Sequence, residues 1–82
     1  MTNTKKMVKI DKSVRFTSVS GSSLVESYAR EAGDLALKLK NGATYIYKSV
    51  DNKTFNEFVG APSKGKYFST NIRDKFVAEQ AE

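Results

Sequence analysis

Residues 61–76 read APSKGKYFSTNIRDKF, and this stretch predicts the helix around which the fold is organised. Its proline interrupts any preceding helix, and Ser63 can cap a new one by accepting a backbone N–H from the first turn. At about 100° per residue, Phe68, Ile72 and Phe76 fall on one stripe, which is the spacing of a face packed against a core. We therefore expect a helix through this stretch.

A second strong pattern, in residues 35–48, predicts a β-hairpin. Leu35, Leu37 and Leu39 occupy alternate positions, as in a strand with one buried face. Asn41-Gly42 is a strong short-range signal for a tight turn, and the residues after it favour a returning strand.

The register of this hairpin decides the environment of two tyrosines. With a two-residue loop, Tyr45 and Tyr47 share a face with the lysines of the first strand and could stack on bases. With a three-residue loop, Leu37 faces Tyr45 and both tyrosines join the core. We favour the core register, because a small domain needs the apolar area that buried aromatic rings contribute.

The remaining elements complete an α+β domain. Residues 24–31 predict a strand, and Asp51 is a suitable N-cap for a helix through about Val59. We expect a small antiparallel sheet of three to four strands, followed by two short helices packed on one face. Residues 1–18 are expected to form a basic arm or a weak first strand, residues 19–76 the domain, and residues 77–82 a short acidic tail that frays.

Composition excludes several kinds of active site. The 82 residues contain no cysteine and no histidine, which rules out disulfides, Cys/His zinc sites and His-dependent triads. The carboxylates are scattered singly along the chain. We therefore predict a protein that is not an enzyme and holds no metal or cofactor.

The positive charge is concentrated in two parts of the chain. Of the formal net charge of +5, residues 1–18 carry +4 and residues 63–76 carry +3, while the middle is neutral and the last six residues carry −2. The predicted helix thus combines cationic side chains with an N-terminus that favours anions. The candidate ligand-binding residues are Ser63, Lys64, Gly65, Lys66, Tyr67, Asn71 and Arg73, together with Tyr45 and Tyr47 if these are exposed.

Three motifs in order resemble the KTSC domain, a module found at the C-terminus of some lysyl-tRNA synthetases and alone in small bacterial and phage proteins. They are Ser22-Ser23 before an apolar residue, the Tyr45-x-Tyr47 pair, and Ser63-x-Gly65-x-Tyr67-Phe68-x-x-x-Ile72-Arg73. The resemblance spans about residues 19–76. It departs at Arg30, near a position where the pattern implies an aromatic residue. The family has no established activity, and the resemblance implies RNA binding only through the attachment to a synthetase.

Two classes of function fit these observations. The first is a non-enzymatic module that binds RNA or another phosphate-bearing ligand at the helix N-terminus, with flanking lysines and tyrosines. Sequestration of a small anionic nucleotide would use the same residues, 63–66. The second is a protein-binding module, such as a phage regulator that binds a host protein through exposed aromatic residues. Since residues 1–6 lack the apolar segment of a signal peptide and no apolar run could span a membrane, we expect a cytoplasmic protein with no membrane partner.

Overall fold

The computed structural model describes residues 9–10 and 13–81, which form one antiparallel sheet and two helices. The elements are β1 (Thr17–Ser18), β2 (Val25–Glu31), β3 (Asp34–Leu39), β4 (Thr44–Tyr47), α1 (Asn52–Gly60), α2 (Lys64–Asn71) and β5 (Ala78–Ala81). The strands lie in the sheet in sequence order. The α+β class is confirmed, and the sheet has five strands where three to four were expected.

Strand β5 corrects the prediction of a frayed tail at residues 77–82. Ala78–Ala81 pairs antiparallel with β4, with Tyr47 opposite Ala78. Just before it, the carbonyl of Val77 accepts a hydrogen bond of 2.8 Å from the backbone N–H of Lys48. The sequence AEQA has little intrinsic preference for a strand. It is extended because the free edge of β4 offers backbone donors and acceptors that require partners.

The β3–β4 hairpin has the three-residue loop that buries its tyrosines. The N–H of Leu39 donates to the carbonyl of Ala43, Gly42 has a φ of 96°, and Leu37 lies opposite Tyr45. Both tyrosines therefore share the face of the leucines, as the core register predicts. Tyr47 is only 4% exposed, and Tyr45 is half-buried.

The two helices cover this leucine face of the sheet and close the core. Helix α1 is capped by Asp51, whose carboxylate accepts from the N–H of Thr54, and α2 is capped by Ser63, whose Oγ accepts from the N–H of Lys66. Phe58 and Phe68 are buried beneath them. The core consists of Val25, Leu35, Leu37, Leu39, Tyr47, Val50, Phe58, Phe68 and Ile72.

Helix α2 ends at Asn71, one turn earlier than the apolar stripe predicts. The N–H groups of Ile72 and Arg73 both donate to the carbonyl of Phe68, so the chain leaves the helix in a tight turn. Ile72 is still fully buried, whereas Phe76 is half-buried. The turn redirects the chain towards β5.

The opposite face of the sheet is also covered. Ala29, Ala36 and Ala81 on that face are each 3% exposed. Ile10 and Val14 of the N-terminal segment line a recess of about 200 Å³ together with Ala36 of β3. Residues 13–18 therefore belong to the folded domain, while residues 1–8 and 11–12 of the predicted arm lie outside the described residues.

Candidate functional site

A groove of about 440 Å³ runs along the exposed side of α2, and we call it the α2 groove. It is lined by Ala61, Pro62, Ser63, Lys66, Tyr67, Thr70 and Asn71. These residues supply one ammonium group, two aliphatic hydroxyls, one amide and one aromatic ring. Among the described residues that line this groove, the charged side chain is that of Lys66, and no carboxylate is present.

The first turn of α2 is fixed by its cap and by a close contact with the loop before β2. Ser63 Oγ accepts a hydrogen bond of 3.2 Å from the N–H of Lys66. Gly65 is buried, and an ideal Cβ at this position would lie 3.0 Å from Ser22 Oγ and 3.4 Å from Leu24 Cβ. A Cβ here would be a tight fit against the Ser22 loop, and the side-chain position faces the protein rather than a ligand.

Tyr67 is held in place by a hydrogen bond between the two helices. Its hydroxyl donates to Glu57 Oε1 of α1 at 2.7 Å, and its ring centroid lies 6.4 Å from that of Phe58. Partial burial, and then the hydrogen bond and charge of Glu57, raise the pKa of Tyr67 to about 12. The phenol therefore stays neutral, and its ring has a fixed position at the wall of the groove.

On the other side of Tyr67 lies a second depression of about 410 Å³, which we call the interhelix groove. It is lined by Asp51, Lys53, Thr54, Glu57, Tyr67, Asn71, Lys75 and Phe76. Tyr67 and Asn71 line both grooves and form the ridge between them. Unlike the α2 groove, this one contains carboxylates.

Several of the predicted site residues meet at the α2 groove: Ser63, Lys66, Tyr67 and Asn71 all line it. Lys64 is half-buried and Arg73 is exposed, and neither lines either groove on the helices. The candidate set is thus narrower than the sequence predicts.

Two of the predicted residues are core residues. Gly65 is buried against Ser22, as described above. Tyr47 packs its ring on Phe68, with the centroids 5.4 Å apart, and burial raises the pKa of its phenol. A ring so enclosed has no face free for a base, so Tyr47 is removed from the candidate site. Tyr45 is half-buried beside it and lines neither groove.

The sequence reasoning missed Thr70 and Pro62, which line the α2 groove. Thr70 follows Lys66 by four positions, so the two side chains share a face of the helix. That spacing was a usable signal for the groove. The sequence indicates only that Pro62 interrupts a helix, whereas in the structure Pro62 also lines the groove.

The family of this chain follows from a match to a family model. The KTSC domain model matches residues 21–76, which include both Ser22 and Gly65 and the whole of α1 and α2. The chain belongs to the KTSC family. The KTSC match ends before β5 and begins after β1, so these two outer strands flank the matched domain.

A solved structure supports this assignment. The chain is similar to the crystal structure of a KTSC domain protein from Yersinia pestis, with 27% sequence identity and a TM-score of 0.76. The match covers 85% of this chain and all of the Yersinia chain. No curated protein sequence matches significantly. Neither helix in the described part of the chain is long and apolar enough to cross a membrane.

The structure also explains how this KTSC domain accommodates Arg30, where an aromatic residue was expected. The guanidinium carbon lies 4.8 Å from the centroid of the Phe55 ring on α1. One of its nitrogens also donates to Asn52 Oδ1 at 3.0 Å. A planar guanidinium can stack on a ring much as an aromatic side chain does, so Arg30 still ties β2 to α1.

Proposed function

We propose that this KTSC domain is a non-enzymatic binding module for RNA or another phosphate-bearing ligand, and that the α2 groove is its binding site. The observation that carries the proposal is the lining of that groove. Lys66, two hydroxyls and the Asn71 amide surround it, and none of the described residues that line it carries a carboxylate. Such a set attracts an anion and can donate hydrogen bonds to its oxygens.

The groove residues support distinct roles in binding. Lys66 provides a charge for phosphate. Among the described residues the salt bridges all involve Lys48, so no described carboxylate is paired with the Lys66 ammonium group. Thr70 and Asn71 provide polar contacts. The ring of Tyr67 offers a surface for stacking a base.

The hydrogen bonds of two hydroxyl groups at the groove fit a binding role. The Ser63 hydroxyl already accepts the N–H of Lys66, and Tyr67 is bonded to Glu57 and holds its proton to about pH 12. Neither group is placed as an activated nucleophile. RNA as the ligand also fits the expected cytoplasmic location.

The test compares two lysines of the same helical turn. Lys66→Ala removes a charge from the groove, and Lys64→Ala removes the same charge from a position outside it. We expect Lys66→Ala to weaken the binding of a single-stranded RNA about threefold. The slope of log K against log salt concentration should become shallower by about 0.7 for the phosphate contact that is lost.

Lys64→Ala is expected to leave both quantities nearly unchanged, and both variants should keep the circular dichroism spectrum of the parent. If the two substitutions weaken binding equally, binding depends on the net charge of the protein and not on the groove, and the groove assignment is wrong. If the protein does not bind RNA or nucleotides at all, the proposal is wrong, and the protein-binding alternative takes its place.

A further inference from the structure

The α2 groove and the interhelix groove adjoin each other along one surface of the helical layer. Tyr67 and Asn71 line both, so a ligand that passes over this ridge contacts the two grooves without leaving the surface. We infer that the two grooves form one extended site for single-stranded RNA, an inference that rests on the function proposed for the α2 groove.

The interhelix groove has two lysines and two carboxylates among its described lining residues, so its formal charge is balanced, and its lysines are the groups that can contact a phosphate. Its lining includes Lys53 and Lys75, and among the described residues neither ammonium group is paired with a carboxylate. The two carboxylates of this groove are already engaged within the protein. Asp51 accepts from the backbone and hydroxyl of Thr54, and Glu57 accepts from Tyr67.

The arrangement of the cations suits a ligand with more than one phosphate. Lys66 lines only the α2 groove and Lys75 lines only the interhelix groove, with the Tyr67–Asn71 ridge between them. A mononucleotide can therefore occupy one groove, whereas a chain of nucleotides can place successive phosphates in both.

The aromatic side chains favour a single strand over a duplex. Tyr67 on the ridge and Phe76 in the interhelix groove are both half-buried residues that line the groove. An unpaired base has a free face with which to stack on such a ring, whereas the bases of a duplex are stacked on one another. Because Glu57 holds the Tyr67 hydroxyl, the ring on the ridge does not have to be ordered when the ligand binds.

The experiment measures affinity against ligand length with the full chain. Fluorescence anisotropy of a labelled, single-stranded octauridylate gives its affinity, and competition gives that of uridine 5′-monophosphate. We expect the octamer to bind about tenfold or more tightly than the monophosphate. Lys75→Ala should lower the slope of log K against log salt for the octamer by about 0.7.

Lys40→Ala is the matched control, because Lys40 is exposed in the β3–β4 loop and lines neither groove. If monophosphate and octamer bind equally, or Lys75→Ala acts no differently from Lys40→Ala, the extended site is wrong and the α2 groove proposal stands. A hairpin duplex that competes as well as the octamer would also overturn the single-strand assignment. Failure of both ligands to bind would overturn the proposed function itself, and the extended site with it.

Discussion

Ser22 Oγ occupies the space beside Gly65, and an ideal Cβ on Gly65 would stand 3.0 Å from it. The same oxygen accepts hydrogen bonds from the N–H groups of Leu24 and Val25, at 3.2 and 3.0 Å. The Ser22 hydroxyl therefore bonds the backbone where β2 begins, and it also lies in the contact between α2 and the loop before β2. This contact places the first turn of α2, and with it the groove, relative to the sheet.

Gly65→Ala is expected to destabilise the protein by up to about 2 kcal/mol. The new methyl group would crowd Ser22 Oγ, which is held by hydrogen bonds from two N–H groups, and overpacking of this kind costs about 1–3 kcal/mol. The better helix propensity of alanine offsets up to about 1 kcal/mol of this. Urea unfolding followed by circular dichroism measures the difference.

A double-mutant cycle attributes this cost to the contact. In the Ser22→Ala background the obstructing oxygen is absent, so adding Gly65→Ala should cost less than it does in the parent. Strict additivity of the two free energies would mean that the two residues are not coupled, contrary to the structure.

The fold was predictable from sequence where the signals are local. Asp51 and Ser63 cap their helices as their side chains imply, and the Asn41-Gly42 turn gives the expected hairpin. Strand β5 was not predictable, because its extended state comes from pairing with β4 and not from its own residues.

The candidate site was predictable only in part, for a related reason. The helix N-terminus and Lys66 were evident from the sequence. That Lys66 lines the groove and Lys64 does not depends on how α2 packs against the rest of the domain. Likewise Gly65 suggests a close approach of some group, and only the tertiary structure shows that the group is Ser22 Oγ.

Tyr67 is expected to titrate at an unusually high pH. Burial and its bond to Glu57 raise the pKa of its phenol from 10.0 to about 12. Because the folded-state pKa exceeds the unfolded one, this stabilisation is fully present below about pH 10 and is lost as the pH rises towards 12. Ultraviolet titration of tyrosinate checks this, with Tyr67→Phe identifying the transition. In Glu57→Gln the pKa should fall, and an unchanged value would contradict the role of Glu57.

Asp34 is expected to make the free energy of unfolding decrease at acidic pH. The hydrogen bond from Lys48, 2.7 Å long, lowers the pKa of Asp34 below its ordinary 3.8, although partial burial acts in the other direction. The ionised carboxylate therefore stabilises the fold at neutral pH, and this contribution is lost as the pH falls through the folded-state pKa. Asp34→Asn should be less stable than the parent at pH 7, and the gap should close in acid. A gap that is independent of pH would contradict this assignment.

Strand β5 is tested by two substitutions in the same strand. Ala81 is buried at 3% exposure on the face away from the helices, whereas Ala78 is exposed. We expect Ala81→Asp to destabilise the protein by about 1–3 kcal/mol, because it buries an unpaired charge, and Ala78→Asp to cost less than about 0.5 kcal/mol. Denaturant unfolding of both variants gives the comparison. If both substitutions have negligible effects on the free energy of unfolding, residues 78–81 do not form a packed strand, and the assignment of β5 is wrong.

The assignment of the α2 groove as the binding site is tested most directly by mapping where RNA contacts the protein. Titration of the ¹⁵N-labelled chain with single-stranded octauridylate, followed by amide chemical shifts, should perturb Ser63, Lys66, Thr70 and Asn71 first, with Lys75 following. Residues of the opposite sheet face, such as Ala36 and Ile46, should not move. Shifts confined to that face, or none at saturating RNA, would contradict the assignment of the α2 groove as the binding site.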